Sequence, residues 1–199
     1  MIPTRLVVAT GNRGKADELR ALVREWGVDE ALDLQSFPSV VLPEETASTY
    51  VGNAVLKARA VAAATRLPSL ADDSGLEVEA LGGEPGVRSA RWAGPQATDA
   101  ERIAKLLGEL AGVPPTARNA RFCCVVALAW PDGRLETAEG SCTGRIAALP
   151  EGRGGFGFDP VFIADEIGRS LGRATPVEKQ RISHRARAMR VLGARLRQP

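Results

Sequence analysis

The first 27 residues contain, in succession, the patterns of a short apolar strand, a polar loop and an amphipathic helix. Residues 6–9 (Leu-Val-Val-Ala) are an apolar, β-branched run, and residues 10–15 (Thr-Gly-Asn-Arg-Gly-Lys) follow as a glycine-bearing turn. Apolar residues then recur at the spacing of one helical face, before a glycine that acts as a stop signal: Leu19, Leu22, Val23 and Trp26, then Gly27. Because such units pack helices against a sheet, the pattern predicts an α/β fold.

The rest of the chain continues this alternation and adds a β-hairpin. Helices are predicted at about residues 47–66, after a capping box at residues 98–101, and in a final region with an apolar stripe. The residues of that stripe are Ile182, Ala186, Met189, Leu192 and Leu196. Strands at residues 121–130 and 134–145 are joined through Pro-Asp-Gly, which makes the sheet mixed. We therefore predict a single α/β domain over residues 1–199, with helices flanking a mixed β-sheet.

Charge and apolar runs exclude two broad classes of partner. Lys plus Arg number 26 and Asp plus Glu number 24, which gives a net charge of +2. A general nucleic-acid or membrane-surface binder would carry a concentrated basic excess. The start of the chain lacks the apolar core of a signal peptide, and the three cysteines have no Cys-x-x-Cys spacing. We expect a cytoplasmic protein that binds neither nucleic acid nor membrane.

An acidic pair follows an apolar run in the middle of the chain. Asp72 and Asp73 come after residues 67–71, and Ser74 and Gly75 follow them. If residues 67–71 form a buried strand that ends at the pair, both carboxylates lie at the sheet edge where α/β proteins bind ligands. Their mutual repulsion then requires a cation or a shared proton. Mg²⁺ is the simplest answer, because it accepts one or two carboxylates together with phosphate. An ordinary Asp-Asp-Ser-Gly turn explains the same residues equally well.

Residues 10–15 are a candidate anion site. They connect a strand to a helix, so the first N–H groups of the helix face outward, and Lys15 adds a positive charge. The segment does not match the P-loop, because no Ser or Thr follows the lysine. An exposed lysine at the start of a helix is the alternative interpretation.

A second acidic pair, Glu44 and Glu45, precedes the predicted helix at residues 47–66. Acids there complement the helix dipole, and Thr46 is a candidate cap. Metal binding requires the fold to bring Glu44 near Asp73. On the helix itself an apolar stripe is predicted at Val51, Val55, Ala58 and Ala62. Asn53 and Lys57 are four residues apart and share another face, from which both can reach one ligand.

Two C-terminal segments carry further candidates. Residues 154–160 (Gly-Gly-Phe-Gly-Phe-Asp-Pro) combine flexible backbone, two aromatic rings and an acid, which suits stacking on a purine; a hairpin with core phenylalanines is the alternative. His184 is the only histidine. On an unbroken helix it would lie far around the axis from Lys179. A helix break at Ser183 would let Lys179, His184 and Arg185 reach one anion.

Seven segments, in order, resemble the inosine triphosphate pyrophosphatase family (the Ham1-like pyrophosphatases). They are residues 9–15 (ATGNRGK), 44–46 (EET), 53–59 (NAVLKAR), 71–76 (ADDSGL), 86–91 (GVRSAR), 154–160 (GGFGFDP) and 178–185 (EKQRISHR). The resemblance implies a mixed α/β fold that is elongated and has two lobes, with the nucleotide in the cleft between them. It also implies a homodimer.

The activity that the resemblance implies is hydrolysis of deaminated purine nucleoside triphosphates. ITP, dITP, XTP and dXTP would be cut between the α- and β-phosphates, with Mg²⁺ as cofactor, to give the monophosphate and pyrophosphate. Asp73 would be the catalytic base and a metal ligand, and Glu44 the second ligand. The substrate contacts would be Thr10, Gly11, Asn12, Arg13, Gly14, Lys15, Lys57, Ser74, Phe156, Gly157, Phe158, Asp159, Lys179, His184 and Arg185.

One departure from the family pattern, one variable position and two alternative functions accompany this resemblance. Phe158 stands where the family often has tyrosine, and Arg13 stands at a variable position of its loop. A nucleotide-binding regulator without hydrolytic activity is one alternative function. A pyrophosphatase for other modified nucleotides, of the Maf-like group, is the other.

Overall fold

The computed structural model describes residues 1–198. Numbered in chain order, its strands are β1 (Arg5–Val8), β2 (Glu30–Asp33), β3 (Ser69–Val78), β4 (Asn119–Ala129), β5 (Leu135–Ile146), β6 (Phe162–Ala164) and β7 (Arg169–Ser170). Its α-helices are α1 (Arg13–Arg24), α2 (Tyr50–Thr65), α3 (Asp99–Glu109), α4 (Pro176–Ile182) and α5 (His184–Leu196).

The strands form one seven-stranded sheet in the order β2-β1-β3-β4-β5-β6-β7. β1 runs parallel to both β2 and β3, whereas β6 is antiparallel to β5 and to β7. β4 and β5 are joined by the predicted turn, in which the N–H of Gly133 donates to Trp130 O. The prediction of a mixed sheet flanked by helices in an α/β fold is therefore confirmed.

Contacts divide the chain into two compact units. The first unit comprises residues 1–73, 124–140 and 185–198, and the second comprises residues 74–123 and 141–184. The first unit has an apolar core on each face of its strands. α1 and α5 cover one face, where they pack on Leu6, Val8 and Leu70. α2 covers the other face, where it packs on Val7 and Ala71.

The second unit has one core, built from residues of β3, β4, β5 and β6 together with α3 and α4. α3 begins with the predicted capping box, in which the Thr98 side chain accepts from the Glu101 N–H and Glu101 accepts from the Thr98 N–H. A second capping box, Thr175 with Glu178, begins α4. Within residues 1–198 no helix is both long and apolar enough to cross a membrane.

Several local predictions are wrong and one is confirmed. β3 does not end at the acidic pair but continues through it to Val78, so the turn interpretation fails as well. α2 starts at Tyr50 rather than near residue 47, and its cap is Thr49, not Thr46. Val51 is exposed, because α2 turns Asn53 and Lys57 toward the sheet instead. The helix break at Ser183, which separates α4 from α5, is confirmed.

Candidate active site

Strand β3 sends the two acids of the central pair to opposite faces of the sheet, because side chains alternate along a strand. Asp72 follows Leu70 on the face that α1 and α5 cover. Asp73 follows Ala71 on the face that α2 covers. The pairing of β3 with β1 stops at Leu70, so both acids lie just beyond the carboxyl end of β1. Asp72 and Asp73, although adjacent in sequence, therefore lie on opposite faces of the sheet and contact different residues.

Asp72 is completely buried and is held by two cations of the first unit. Its Oδ2 accepts from Arg185 Nε at 3.1 Å and Nη2 at 2.9 Å, and Lys15 Nζ lies 3.2 Å away. Burial alone would raise the pKa of Asp72, but the charges of Arg185 and Lys15 hold it well below its usual range. Arg185 also donates to Glu18 Oε2 at 2.5 Å. Asp72 therefore remains ionised and anchors Lys15 and α5.

Asp73 faces two polar residues of α2. Asn53 Nδ2 donates to Asp73 Oδ2 at 3.0 Å, and Lys57 Nζ lies 4.0 Å from Oδ1. Burial raises the pKa of Asp73, and the positive charges of Lys57 and Lys15 together with the Asn53 hydrogen bond oppose that shift without cancelling it. A carboxylate with a raised pKa is suited to accept a proton at neutral pH.

Of the second acidic pair, Glu45 and not Glu44 joins this group. Lys57 Nζ lies 2.5 Å from Glu45 Oε1, whereas Glu44 is exposed. Burial alone would lower the pKa of Lys57, but the charges of Asp72, Asp73 and Glu45 raise it, so Lys57 remains charged. The Ala47 N–H donates to Asn53 Oδ1 at 2.9 Å, which ties the loop after Glu45 to α2. Asn53 thus connects this loop with Asp73.

The loop at residues 10–15 leads directly into the first turn of α1. Asn12 is the N-cap of α1, and its side chain accepts from the Lys15 N–H at 3.0 Å. The Asn12 N–H donates to Thr10 Oγ1 at 3.2 Å. Gly11, Asn12 and Arg13 are exposed, so an anion can approach the first turn of the helix.

In the second unit the glycine-rich segment surrounds a buried carboxylate. Asp159 Oδ2 accepts from the Phe156 N–H at 2.8 Å and lies 2.5 Å from Lys179 Nζ. The same ammonium lies 4.3 Å from the centroid of the Phe156 ring. Phe158 is buried in the core, whereas Phe156 is half-buried. The core-phenylalanine interpretation is therefore confirmed for Phe158, and stacking of Phe156 on a purine stays a prediction.

The remaining predicted residues lie in the middle of β3 and at the start of α5. His184, the first residue of α5, stacks on Phe122 with ring centroids 4.8 Å apart and an interplanar angle of 14°. Ser74 is half-buried and directly follows Asp73. The placement of Arg185 against Asp72 and Glu18 was not foreseen, since nothing in the local pattern links residues so distant along the chain.

A divalent cation would need ligands beyond those that the protein supplies. Within residues 1–198 no group of three or more His, Cys, Asp and Glu side chains could hold a metal ion. Glu45 and Asp73 flank the ammonium of Lys57 as two carboxylates. Mg²⁺ is usually bound by one or two carboxylates together with substrate phosphates and water. Glu45 and Asp73 are therefore the candidate protein ligands for a cation in this region.

Comparisons with known proteins agree over almost the whole chain. The chain is 50% identical over 184 residues to a dITP/XTP pyrophosphatase of Geobacillus kaustophilus, with 92% of this chain and 90% of that protein covered. A solved HAM1 protein of Coxiella burnetii is 42% identical, with a TM-score of 0.85 and 96% and 98% coverage.

A nucleoside-triphosphatase / dITP/XTP pyrophosphatase of Mycobacterium abscessus, also solved, is 40% identical with a TM-score of 0.75, and 98% of this chain and 100% of that chain are covered. A sequence model of the Ham1 family matches residues 6–195. The chain belongs to the Ham1 family.

Proposed function

We propose that this protein hydrolyses the triphosphates of deaminated purine nucleosides (ITP, dITP, XTP and dXTP) to the monophosphate and pyrophosphate. The observation that carries the proposal is Asp73, a buried carboxylate with a raised pKa beside Lys57 and Asn53. Relatives that are 50% and 52% identical to this chain bear the name dITP/XTP pyrophosphatase, which supports the same substrate class. We propose further that the chain is a single domain and acts as a cytoplasmic homodimer.

The residues of the first unit account for the chemistry. Asp73 accepts a proton from a water molecule whose oxygen attacks the α-phosphorus, and the bond between that phosphorus and the bridging oxygen to the β-phosphorus breaks. The electron pair leaves with pyrophosphate. Lys15 and Lys57 supply positive charge for the polyphosphate, and the exposed N–H groups at the start of α1 bind it. Asp72 and Arg185 act indirectly, because they fix Lys15 and α5.

Mg²⁺ fits this site with Glu45 and Asp73 as its protein ligands. When bound, it would neutralise charge on the triphosphate oxygens. The resemblance assigned the second ligand to Glu44, but the exposed position of Glu44 and the contact of Glu45 with Lys57 favour Glu45.

Within the second unit, the residues proposed to bind a purine base lie together. Phe156 offers a half-buried ring for stacking, and Asp159 and Lys179 supply an acceptor and a donor beside it. Hypoxanthine and xanthine carry a 6-oxo acceptor where adenine carries an amino donor. A site that donates at that position leaves adenine with an unpaired buried polar group, at a cost of about 1–3 kcal/mol.

A panel of triphosphates tests the proposal. Relative kcat/KM values for ITP, dITP, XTP, GTP, ATP and modified pyrimidine triphosphates should rank the deaminated purines first. Faster turnover of modified pyrimidine nucleotides would favour the Maf-like alternative. Tight binding of ITP without turnover would favour the nucleotide-binding regulator.

Paired substitutions of the adjacent glutamates test the metal assignment. We expect Glu45→Gln to lower kcat/KM for ITP at limiting Mg²⁺ by at least about tenfold, as losses of groups that support a metal do. Glu44→Gln, the matched control on an exposed side chain, should stay within about twofold of the unchanged protein. A large loss of kcat/KM in Glu44→Gln together with a small change in Glu45→Gln would instead identify Glu44 as the ligand.

Asn53 is the residue to change in order to test the positioning of Asp73. Asn53→Asp keeps an oxygen for the Ala47 N–H but places a second carboxylate against Asp73. We expect kcat for ITP to fall by at least about tenfold, since a lost hydrogen bond to a charged group costs about 1.5–3 kcal/mol. Asn119→Asp, on an exposed asparagine of β4, is the control. Unchanged kcat in Asn53→Asp would rule out this positioning role.

A further inference from the structure

The glycine-rich segment of the second unit is held through two consecutive backbone amides. The Phe156 N–H donates to Asp159 Oδ2 at 2.8 Å, within the segment itself. The next amide, that of Gly157, donates to Asp99 Oδ2 at 2.7 Å. Asp99 is the first residue of α3 and lies 58 residues away along the chain. Asp159 thus holds the segment from within, and Asp99 holds it from outside.

The carboxylate of Asp99 is itself fixed. Its Oδ1 accepts from Arg102 Nη2, and Arg102 Nη1 also donates to Ala90 O at 2.7 Å and Ala97 O at 2.6 Å. The capping box of Thr98 and Glu101 holds the first turn of α3 around it. The Asp99 side chain is 45% exposed, so it is not a buried core group. It is a rigid acceptor presented by a helix.

The segment needs such an anchor because its own backbone has wide freedom. Gly155 and Gly157 have φ values of +73° and +62°, in a region that side chains disfavour. A Cβ on Gly155 would come within 2.0 Å of Asp159 Oδ2, so the chain wraps closely around that carboxylate. A small displacement at Gly157 would therefore move both the Phe156 ring and the surroundings of Asp159.

We propose that Asp99 is a positioning residue for base selection, which holds Gly157 so that Phe156 and Asp159 present a fixed surface to the purine. This inference rests on the proposed function. Asp99 belongs to the second unit, whereas Asp72, Asp73 and the loop at residues 10–15 belong to the first. Its loss should therefore weaken recognition of the base and spare the chemical step.

Steady-state kinetics of three variants test the inference. In Asp99→Ala we expect KM for ITP to rise by about tenfold, the factor that corresponds to about 1.4 kcal/mol. The ratio of kcat/KM for ITP to that for ATP should fall by about the same factor. The value of kcat should stay within about twofold of the unchanged protein, as expected when only binding is weakened. Asp99→Asn keeps an oxygen acceptor for the Gly157 N–H and should restore most of the selectivity.

Glu101→Ala is the matched control, because it removes the capping box of the same helix and leaves the bond between Asp99 and Gly157 in place. Equal KM values and equal ITP-to-ATP ratios in Asp99→Ala and Glu101→Ala would overturn the inference. If Asp99→Ala does not fold, Asp99→Ser, which suits a helix start but is shorter, takes its place in the comparison. Absence of ITP hydrolysis by the unchanged protein would instead refute the proposed function.

Discussion

Asp73→Asn is expected to lower kcat for ITP by about 10²–10⁴-fold, the contribution that a positioned general base usually makes. Asparagine keeps the size of the side chain and an oxygen that can accept from Asn53 Nδ2. Burial raises the pKa of Asp73, which means that the buried negative charge is unfavourable. The substitution removes that charge and its cost. The variant should therefore remain folded, with a free energy of unfolding no lower than that of the unchanged protein.

Two measurements on Asp73→Asn separate chemistry from stability. Single-turnover release of pyrophosphate from ITP gives the rate of the chemical step, and urea denaturation gives the free energy of unfolding. A variant that keeps more than about a tenth of the rate would exclude Asp73 as a base that contributes the usual factor.

The largest loss of stability is expected from Arg185→Met. The substitution leaves Asp72 completely buried with Lys15 as its remaining close cation and leaves Glu18 without the Arg185 bond. Removing one partner of a buried ion pair costs about 3–5 kcal/mol. Arg195→Met, on an exposed arginine of the same helix, should change the free energy of unfolding by no more than about 0.5 kcal/mol.

The pH dependence of unfolding gives an independent check on the ion pair of Asp72 and Arg185. The pKa of Asp72 is lowered in the folded protein, so its stabilising contribution is present above the unfolded pKa of about 3.9 and is lost as the pH falls. Arg185→Met should reduce that loss, because the folded pKa of Asp72 rises when the guanidinium is removed. If Arg185→Met lowers the free energy of unfolding at pH 7 by less than about 1 kcal/mol, that result would contradict the role given to the ion pair of Asp72 and Arg185.

Local features of the fold were predictable from the sequence. The strand, loop and helix at the start of the chain, the Pro-Asp-Gly turn of the hairpin and the capping box at Thr98 each depend on residues within a few positions of one another. The break at Ser183 belongs with them, since a serine with an extended backbone separates α4 from α5.

The division of the acidic pair was not predictable from spacing. It requires β3 to continue past Asp72 and a different helix to cover each face of the sheet. The choice between Glu44 and Glu45 likewise depends on the path of a loop, which Asn53 fixes from α2. Asp99 resembles any acid in the first turn of a helix, and only the fold brings Gly157 to it.

Identification of the products formed from ITP in the presence of Mg²⁺ tests the central claim most directly. Phosphorus NMR of the reaction mixture distinguishes pyrophosphate from inorganic phosphate, and chromatography distinguishes IMP from IDP. Attack at the α-phosphorus, with Asp73 as the base, predicts equal amounts of IMP and pyrophosphate, and their loss in Asp73→Asn. Formation of IDP and phosphate, or no turnover of ITP by the unchanged protein, would contradict that assignment.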